Sequence, residues 1–208
     1  MANYGALITR IGTDIDRSGD TSVIEAAIQD AIVRHEAERF TFNDTTFRLT
    51  TVADQEFYTL PDDLRTRSNG ALQGGETLLE IDAATIIYNE SGYPLTAYND
   101  AEAEICGLTS YRGQPTGYSW TDTELRLEPI PDQAYPIYIN GLKRLSDLSD
   151  TNDTNAWTSD QQASRLIRET AKGLIYRDYL RNYDAASAAD ESAELVSMVE
   201  YKKRPKHH

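Results

Sequence analysis

The hydrophobic pattern of this 208-residue chain changes period twice, and that change limits the folds open to it. Apolar residues recur at helical spacing near both ends, whereas the stretch from Thr41 to about Leu145 alternates with period two and is rich in β-forming residues. An amphipathic helix buries its apolar side only against another apolar surface. The pattern therefore predicts an α+β protein, a helical bundle of an N-terminal helix pair and long C-terminal helices, with an inserted β-rich domain.

Residues 1–40 are predicted to form the N-terminal helix hairpin of the bundle. The apolar positions are Leu7, Ile8, Ile11 and Ile15 in the first helix, and Ile24, Ile28 and Ile32 in the second. Ser22 followed by Glu25 predicts a capping box at the start of the second helix. His35 lies on the charged flank of that helix, which predicts a surface position.

Residues 41–150 are predicted to form the β-rich insertion with one short helix. "TFRLTTV" and "QEFYTL" are separated by two residues and indicate one hairpin, and "TLLEIDAATIIYN" with "YPLTAY" indicates another. "NDAEAEICGLTS" predicts the short helix, capped by Asn99 or Asp100, with the single cysteine, Cys106, as a buried and inert thiol. Catalysis by this thiol is not expected.

The stretch "GYSWTDTELRLEPI" indicates a third hairpin, and three prolines, Pro129, Pro131 and Pro136, mark the end of its second strand and the start of the next strand. Its second strand is predicted to turn Leu125 and Leu127 inward and Glu124, Arg126 and Glu128 outward. Proline has no backbone N–H to donate, so Pro129 and Pro131 are expected to end the pairing of this strand. Pro136 is expected at the start of the next strand, where the missing donor costs least.

Residues 151–184 are predicted to form a bundle helix, and residues 185–208 a C-terminal helix with a basic tail. Ser159 with Gln162 predicts the start of the bundle helix. One side of it carries Leu166, Ile167, Thr170, Ala171, Leu174 and Ile175, and the next helix carries Ala188, Ala189, Ser192, Leu195, Val196 and Val199. The sequence leaves open whether residues 160–201 form one helix or two. A single helix would be about 60 Å long and would need a partner chain.

The formal net charge of −14 argues against a protein that grips nucleic-acid phosphates over much of its surface. Four of the 20 basic side chains lie in the final "YKKRPKHH", so the chain is an acidic body with a basic tail. This tail is either a solvated terminus or a docking peptide, and His207 and His208 are either native or an added remnant.

The chain lacks an apolar run of membrane-spanning length and a signal-peptide pattern at its start, which predicts a protein made in the cytoplasm with no membrane partner.

The spacing of chemically capable residues predicts no catalytic residues, no metal site and no cofactor. Asp150, Asn152 and Thr154 alternate as in a calcium loop, but Asn155 and Gln161 occupy the positions of the required glycine and glutamate, which favours a helix-capping turn. The three histidines are scattered, and no phosphate-binding loop or nucleophile elbow is present. Thirteen tyrosines against four phenylalanines suit either subunit contacts or half-buried strands.

The order of these segments resembles that of the head-to-tail adaptor (connector) proteins of tailed bacteriophages, the short-tailed type in particular. The resemblance covers residues 4–183, and "YTLPDD", "GQPTGY" and "PIPDQAYP" carry it most strongly. It implies a structural virion protein at the head-tail junction, made in the host cytoplasm. Such proteins form a ring, here expected to be a dodecamer, that binds the portal, extends the DNA channel without binding DNA specifically, and offers a surface to a tail nozzle or hub.

In relatives the C-terminal segment reaches the portal. Carried onto this sequence, the portal-binding role falls to Met198, Val199, Tyr201, Lys202, Lys203, Arg204 and Lys206. Two alternatives stay open, a tail-associated cell-wall hydrolase and a tail-completion protein outside the adaptor position. A close carboxylate pair with one raised pKa in an open cleft would favour the hydrolase.

Overall fold

The computed structural model describes residues 3–59, 65–66, 77–99, 111–121 and 124–202, the side chains of 65–66 and 199–202 excepted. The helices are α1 (Tyr4–Asp14), α2 (Thr21–Glu36), α3 (Ala156–Ser159), α4 (Gln161–Leu174) and α5 (Tyr183–Lys202). The strands are β1 (Asp44–Thr50), β2 (Phe57–Thr59), β3 (Arg65–Thr66), β4 (Thr77–Tyr88), β5 (Ser91–Ala97), β6 (Arg112–Gly113), β7 (Gly117–Thr121), β8 (Glu124–Glu128), β9 (Ile130–Pro131) and β10 (Pro136–Arg144). The chain divides into a helical unit, Met1–Asn43 with Leu145–His208, and a sheet unit, Asp44–Arg144.

The core of the helical unit forms where the apolar sides of α1, α2 and α4 meet. Ile11, Ile28 and Ile167, one from each helix, are all fully buried in one cluster. Trp157 of α3 closes this core, with its ring edge-on to Phe40 at 5.6 Å and to Phe42 at 4.9 Å. The expected packing of the first two helices against the helix that begins near residue 160 is confirmed.

The helix starts differ from those predicted. No side chain caps α2 at its N-cap residue, Asp20, so the capping box of Ser22 and Glu25 is wrong. The cap of α4 is Asp160, whose carboxylate accepts hydrogen bonds from the backbone N–H groups of residues 162 and 163. Ser159 does not cap α4, because it already belongs to α3 and its hydroxyl donates to the Asn155 carbonyl at 2.8 Å.

Residues 160–201 form two helices. α4 passes into a π-helical segment, Ile175–Tyr179, and the chain then turns through Arg181 at φ 52° before α5 begins. The buried side of α5 consists of small residues, namely Ala186, Ala189, Ala193 and Val196. The prediction of which residues of α5 are buried was therefore partly wrong, since Ala188 is exposed and Leu195 is 66% exposed.

The sheet unit is built on one sheet of eight strands in the order β2-β8-β7-β5-β4-β10-β1-β3. The longest strands, β4 and β10, pair antiparallel near its middle. The predicted hairpins β4–β5 and β7–β8 are confirmed. The predicted pairing of β1 with β2 is wrong, because β1 pairs with β10 and β3, whereas β2 pairs with β8.

The predicted fold class, a helical bundle with an inserted β-rich domain, is wrong. The protein is a mixed α+β fold with a large curled sheet and not a helical bundle that carries an inserted domain. Sequence periodicity identifies strands, but it does not show the long-range pairings that join them, such as Asp44 with Leu142 and the parallel pair Thr96 with Gly117. These pairings assemble the separate hairpins into one extensive layer. The predicted short helix and Cys106 lie outside the described residues.

The third hairpin combines correct and incorrect expectations. Leu125 and Leu127 are fully buried, as predicted, but Glu128 is also buried, at 1% exposure. Its carboxylate lies 3.3 Å from the Arg126 guanidinium, and this ion pair offsets part of the cost of burying the charge. The antiparallel pairing of β8 ends at Glu128, directly before Pro129, as expected. Ile130–Pro131 then forms a separate two-residue parallel bridge with Arg112–Gly113. Pro136 does begin β10.

Gly141 sits beside an irregularity in the β4–β10 pairing and leaves no room for a side chain. A Cβ atom there would overlap the Glu80 backbone carbonyl, which cannot move without breaking the ladder. We expect Gly141→Ala to lower the free energy of unfolding by roughly 1–3 kcal/mol or more, as measured by urea denaturation. Gly19→Ala is the matched control, since a Cβ at Gly19 meets no atom within 4 Å. Equal unfolding midpoints for the two variants would contradict this account of the sheet.

Candidate functional site

The predicted portal-binding residues begin on the last part of α5. Met198 is 49% exposed, and residues 199, 201 and 202 continue the same helix. Lys203, Arg204 and Lys206 lie outside the described residues. The sequence-predicted site is therefore divided between a helical part, which the structure places, and a basic part that it does not describe.

α5 has an apolar side that is exposed in the part of the chain that the structure describes. Leu195 and Met198 are three residues apart and 66% and 49% exposed. Positions three apart lie on the same side of a helix, so the two side chains are neighbours. The opposite side is buried against α4 through alanines and Val196. α5 thus uses its small residues inside the unit and presents its larger apolar residues, Leu195 and Met198, outward.

The turn between α4 and α5 presents a second group of exposed side chains. Tyr179 and Tyr183 are 51% and 68% exposed, and Arg181 between them is also exposed. Backbone hydrogen bonds hold the turn, with the N–H of Leu180 donating to Ile175 at 2.9 Å and that of Asn182 donating to Tyr176 at 2.8 Å. This feature was not predicted from the sequence. Its signal in the sequence is the stretch "YRDYLRNY" (residues 176–183), which holds three tyrosines and two arginines.

His35 is buried and not at the surface, so that expectation was wrong. The ring is 7% exposed, with Nδ1 at 2.9 Å from the Glu38 carboxylate and Nε2 at 3.0 Å from the Thr170 hydroxyl. The charged sequence around His35 led to the prediction of a surface position, but this part of α2 faces α4, and the His35–Thr170 hydrogen bond joins the two helices. These three groups border a polar cavity of about 390 Å³ between α2, α4 and α5.

A hydroxyl, an imidazole and a carboxylate in this order also occur in hydrolytic triads. Thr170, however, is only 1% exposed and lies inside α4, where the backbone N–H groups serve the helix ladder. The residue that carries this hydroxyl is almost wholly covered, and those amides are already engaged in the helix, so they do not form an oxyanion hole. The hydrogen-bond chain ties α2 to α4, and it does not supply the chemistry of a hydrolase.

A second polar cluster joins α1 to α4. Glu169 lies 2.7 Å from the Lys172 ammonium and 3.0 Å from the Arg168 guanidinium, and both cations also lie within 4 Å of Asp14. Burial alone raises the pKa of Glu169, but the hydrogen bonds and charges of Lys172 and Arg168 outweigh it and hold the pKa below the usual value. The carboxylate is thus ionised and paired, which suits a structural role.

The segment that resembled a calcium loop is a helix-capping turn, as preferred. Its Asp153 carboxylate accepts hydrogen bonds from the backbone N–H groups of Asp150 and Ser149, and these hold the pKa of Asp153 below its usual value. Asn155 then forms a capping box with Thr158 at the start of α3. Among the described residues no group of three or more His, Cys, Asp or Glu side chains is placed to hold a metal ion.

In the sheet unit, Arg126 is held between two carboxylates. Its Nε lies 2.7 Å from Glu56 and 3.3 Å from Glu128, and its guanidinium carbon lies 5.5 Å from the centre of the Phe57 ring. Arg112 and Asp54 form a further ion pair. These contacts fix β2 and the segment before it against β8 and β6.

No helix within the described residues is long and apolar enough to cross a membrane.

Comparison with known proteins assigns the chain to one family. The family model described as SU10 adaptor protein matches residues 2–204, almost the whole chain. A search of curated proteins finds no match. The resemblance to phage head-tail adaptors is therefore confirmed at the level of the family, while the short-tailed type stays a prediction.

Glu169 gives a pH-dependent prediction. Because its pKa is lowered in the folded protein, its stabilising effect is present above the unfolded-state pKa and is lost as the pH falls through the folded-state value. We expect Glu169→Gln to lower the free energy of unfolding by about 1–3 kcal/mol at neutral pH. The difference from wild type should shrink below about pH 4.

The matched control is Glu191→Gln, at an exposed position on α5 whose side chain forms no ion pair within the described part of the chain. It should change the free energy of unfolding by less than about 0.5 kcal/mol. Denaturant titrations across a pH series measure both variants. An effect of Glu169→Gln that persisted unchanged at low pH would show that the ionised carboxylate is not what stabilises the helices.

Proposed function

We propose a position within the virion for this chain. The chain belongs to the SU10 adaptor protein family and is a phage structural adaptor protein, a component of the virion. It assembles as a ring, expected to be a dodecamer, that connects the portal to the tail at the head-tail junction. The ring extends the DNA channel and offers its far side to a tail nozzle or hub. The family match across residues 2–204 is the observation that carries the proposal.

The uncovered side of α5 supports attachment to a portal. Leu195 and Met198 form a small exposed apolar surface on the helix that leads into the basic segment. Apolar side chains at the centre of an interface, with cations at its margin, combine burial with charge attraction to an acidic partner. We assign portal binding to Met198, Val199, Tyr201, Lys202, Lys203, Arg204 and Lys206 on this basis.

The charge of the protein supports a channel through which DNA passes without specific binding. With a net charge of −14, the subunit repels phosphates over most of its surface. A wall that attracted the backbone would gain affinity with each neutralised phosphate and would slow the movement of the genome. An acidic wall leaves the DNA free to slide.

No feature of the described residues favours the cell-wall hydrolase. A general acid needs a carboxyl group whose pKa is raised, whereas the structure lowers the pKa values of Asp153 and Glu169. In the hydrogen-bond chain of Thr170, His35 and Glu38, the Thr170 hydroxyl that would have to act as nucleophile lies within α4 on a residue only 1% exposed. The tail-completion protein is the rival that the following experiment separates from an adaptor.

The experiment mixes the purified chain with purified portal rings and images the product by negative-stain electron microscopy. An adaptor adds a ring-shaped layer to one end of each portal particle. A tail-completion protein outside the adaptor position leaves the portal particles unchanged. That second outcome, with folded protein in excess, would contradict the proposed function.

The basic tail gives a further prediction. We expect deletion of residues 198–208 to leave the fold intact and to weaken portal binding at least tenfold, because both the apolar anchor and the cations are lost. A milder variant, Lys202→Ser with Lys203→Ser, should weaken binding about three- to tenfold at low salt, at the usual strength of exposed charge pairs. Added salt should reduce this difference.

The control removes two cations elsewhere, by Arg10→Ser with Arg165→Ser, since both arginines are exposed on the helical unit. Surface plasmon resonance on immobilised portal, over a range of salt concentrations, compares the variants. If the tail and control variants bound equally well at every ionic strength, the docking role of the tail would have to be given up.

A further inference from the structure

The turn from Tyr176 to Tyr183, called here the aromatic turn, concentrates exposed aromatic and cationic side chains at one end of the helical unit. Tyr183 and Tyr179 are 68% and 51% exposed, among the largest exposures of any apolar or aromatic residue described. Arg181 lies between them in the sequence and is also exposed. Within the described part of the chain, the phenol groups of both tyrosines and the guanidinium of Arg181 form no hydrogen bond or ion pair.

The aromatic turn is fixed in shape. Besides its backbone hydrogen bonds, the Asn182 side chain accepts from the N–H of Ala185 at 3.2 Å, and Arg177 forms an ion pair with Asp190 of α5. A fixed turn presents its side chains at little entropic cost on binding, because the backbone is already ordered. The π-helical segment Ile175–Tyr179, which supplies the first half of the turn, is of a kind often found at functional sites.

Arg181 occupies the left-handed region, with φ at 52°. A non-glycine residue there costs on the order of 1 kcal/mol relative to glycine. Neither a hydrogen bond nor an ion pair of the Arg181 side chain within the described residues offsets this cost. The chain therefore has an arginine where glycine would be more stable, which points to a contact beyond the described residues.

We infer that the aromatic turn binds a second copy of this chain. Tyrosine and arginine are enriched at the centres of protein interfaces and among the residues that contribute most to binding. In a closed ring each subunit presents one surface to the neighbour on one side and a different surface to the other. The inference rests on the proposed ring, and it names the surface through which one copy meets the next.

Charge distinguishes a second copy from DNA as the occupant. Two copies that each carry −14 repel one another, so they meet most favourably where the local charge is balanced. Within the aromatic turn, Arg177 is already paired with Asp190 of α5, and Asp178 and Arg181 carry one charge of each sign. A surface without net positive charge gives little affinity for phosphates, because each phosphate contact needs a neutralising cation.

The test compares full-length variants by sedimentation velocity, alone and with portal rings. Tyr179→Ala with Tyr183→Ala should weaken association between copies at least tenfold at every salt concentration, because apolar contact area is lost. Arg181→Glu should weaken it at low salt and recover in part at high salt, because it makes the surface acidic. Tyr111→Ala is the control, since Tyr111 is 67% exposed but lies in the sheet unit, and it should associate as wild type does.

Arg181→Gly separates binding from stability. Removing the left-handed arginine should raise the melting temperature, while the loss of the side chain should weaken association. A photoreactive residue in place of Tyr183 should cross-link one copy to another. Association equal to wild type in every turn variant, or cross-links to DNA or portal instead of to a second copy, would overturn the inference.

The two proposals fail in different ways. Single copies that bind the portal, with no association that depends on the turn, would overturn this inference and keep the portal role. Association through the turn without portal binding would keep this inference and contradict the proposed attachment to the portal.

Discussion

The burial of α4 is the contact on which the helical unit depends. It packs against α1, α2 and α5, and Leu166 and Ile167 at its centre are almost or wholly inaccessible to water. Its polar side chains face the same neighbours, Glu169 within the ion pairs that reach α1 and Thr170 in the hydrogen-bond chain that reaches α2. One helix therefore fixes the positions of all the others, including α5, which carries the exposed surfaces.

The sequence predicted those parts of the fold that depend on local pattern. The apolar positions of α1, α2 and α4, the hairpins β4–β5 and β7–β8, and the proline at the start of β10 follow from periodicity and from the missing proline donor. The sequence did not predict the features that depend on contacts between segments far apart in the chain. The partner of β1 is β10, almost a hundred residues away, and no residue in either strand specifies the other. For the same reason the extent of the sheet, and with it the fold class, was misjudged.

Side-chain environments show the same limit. Leu195 was assigned to the buried side of α5 because it is large and apolar, yet alanines face α4, where small residues allow the helices to approach closely. His35 was expected outside because its neighbours are charged, and Glu128 because of the period-two alternation of its strand. Partners on another segment or two residues away make the burial of both side chains tolerable. The basic tail could be identified from charge alone, whereas the aromatic turn needed the structure, because exposure and backbone conformation distinguish its tyrosines from those in strands.

Taken together, α5 links two surfaces in one rigid element, the aromatic turn where it begins and the proposed portal-binding segment where it ends. The net charge of −14 opposes both self-association and DNA binding, so contacts are expected at the aromatic turn and at the proposed portal-binding segment. The most direct test is the structure of the complex of this chain with its portal, determined by electron cryomicroscopy. The account predicts residues 198–206 against the portal and residues 176–183 against the adjacent copy. A ring in which α5 faces the DNA channel, with neither segment in a protein contact, would contradict it.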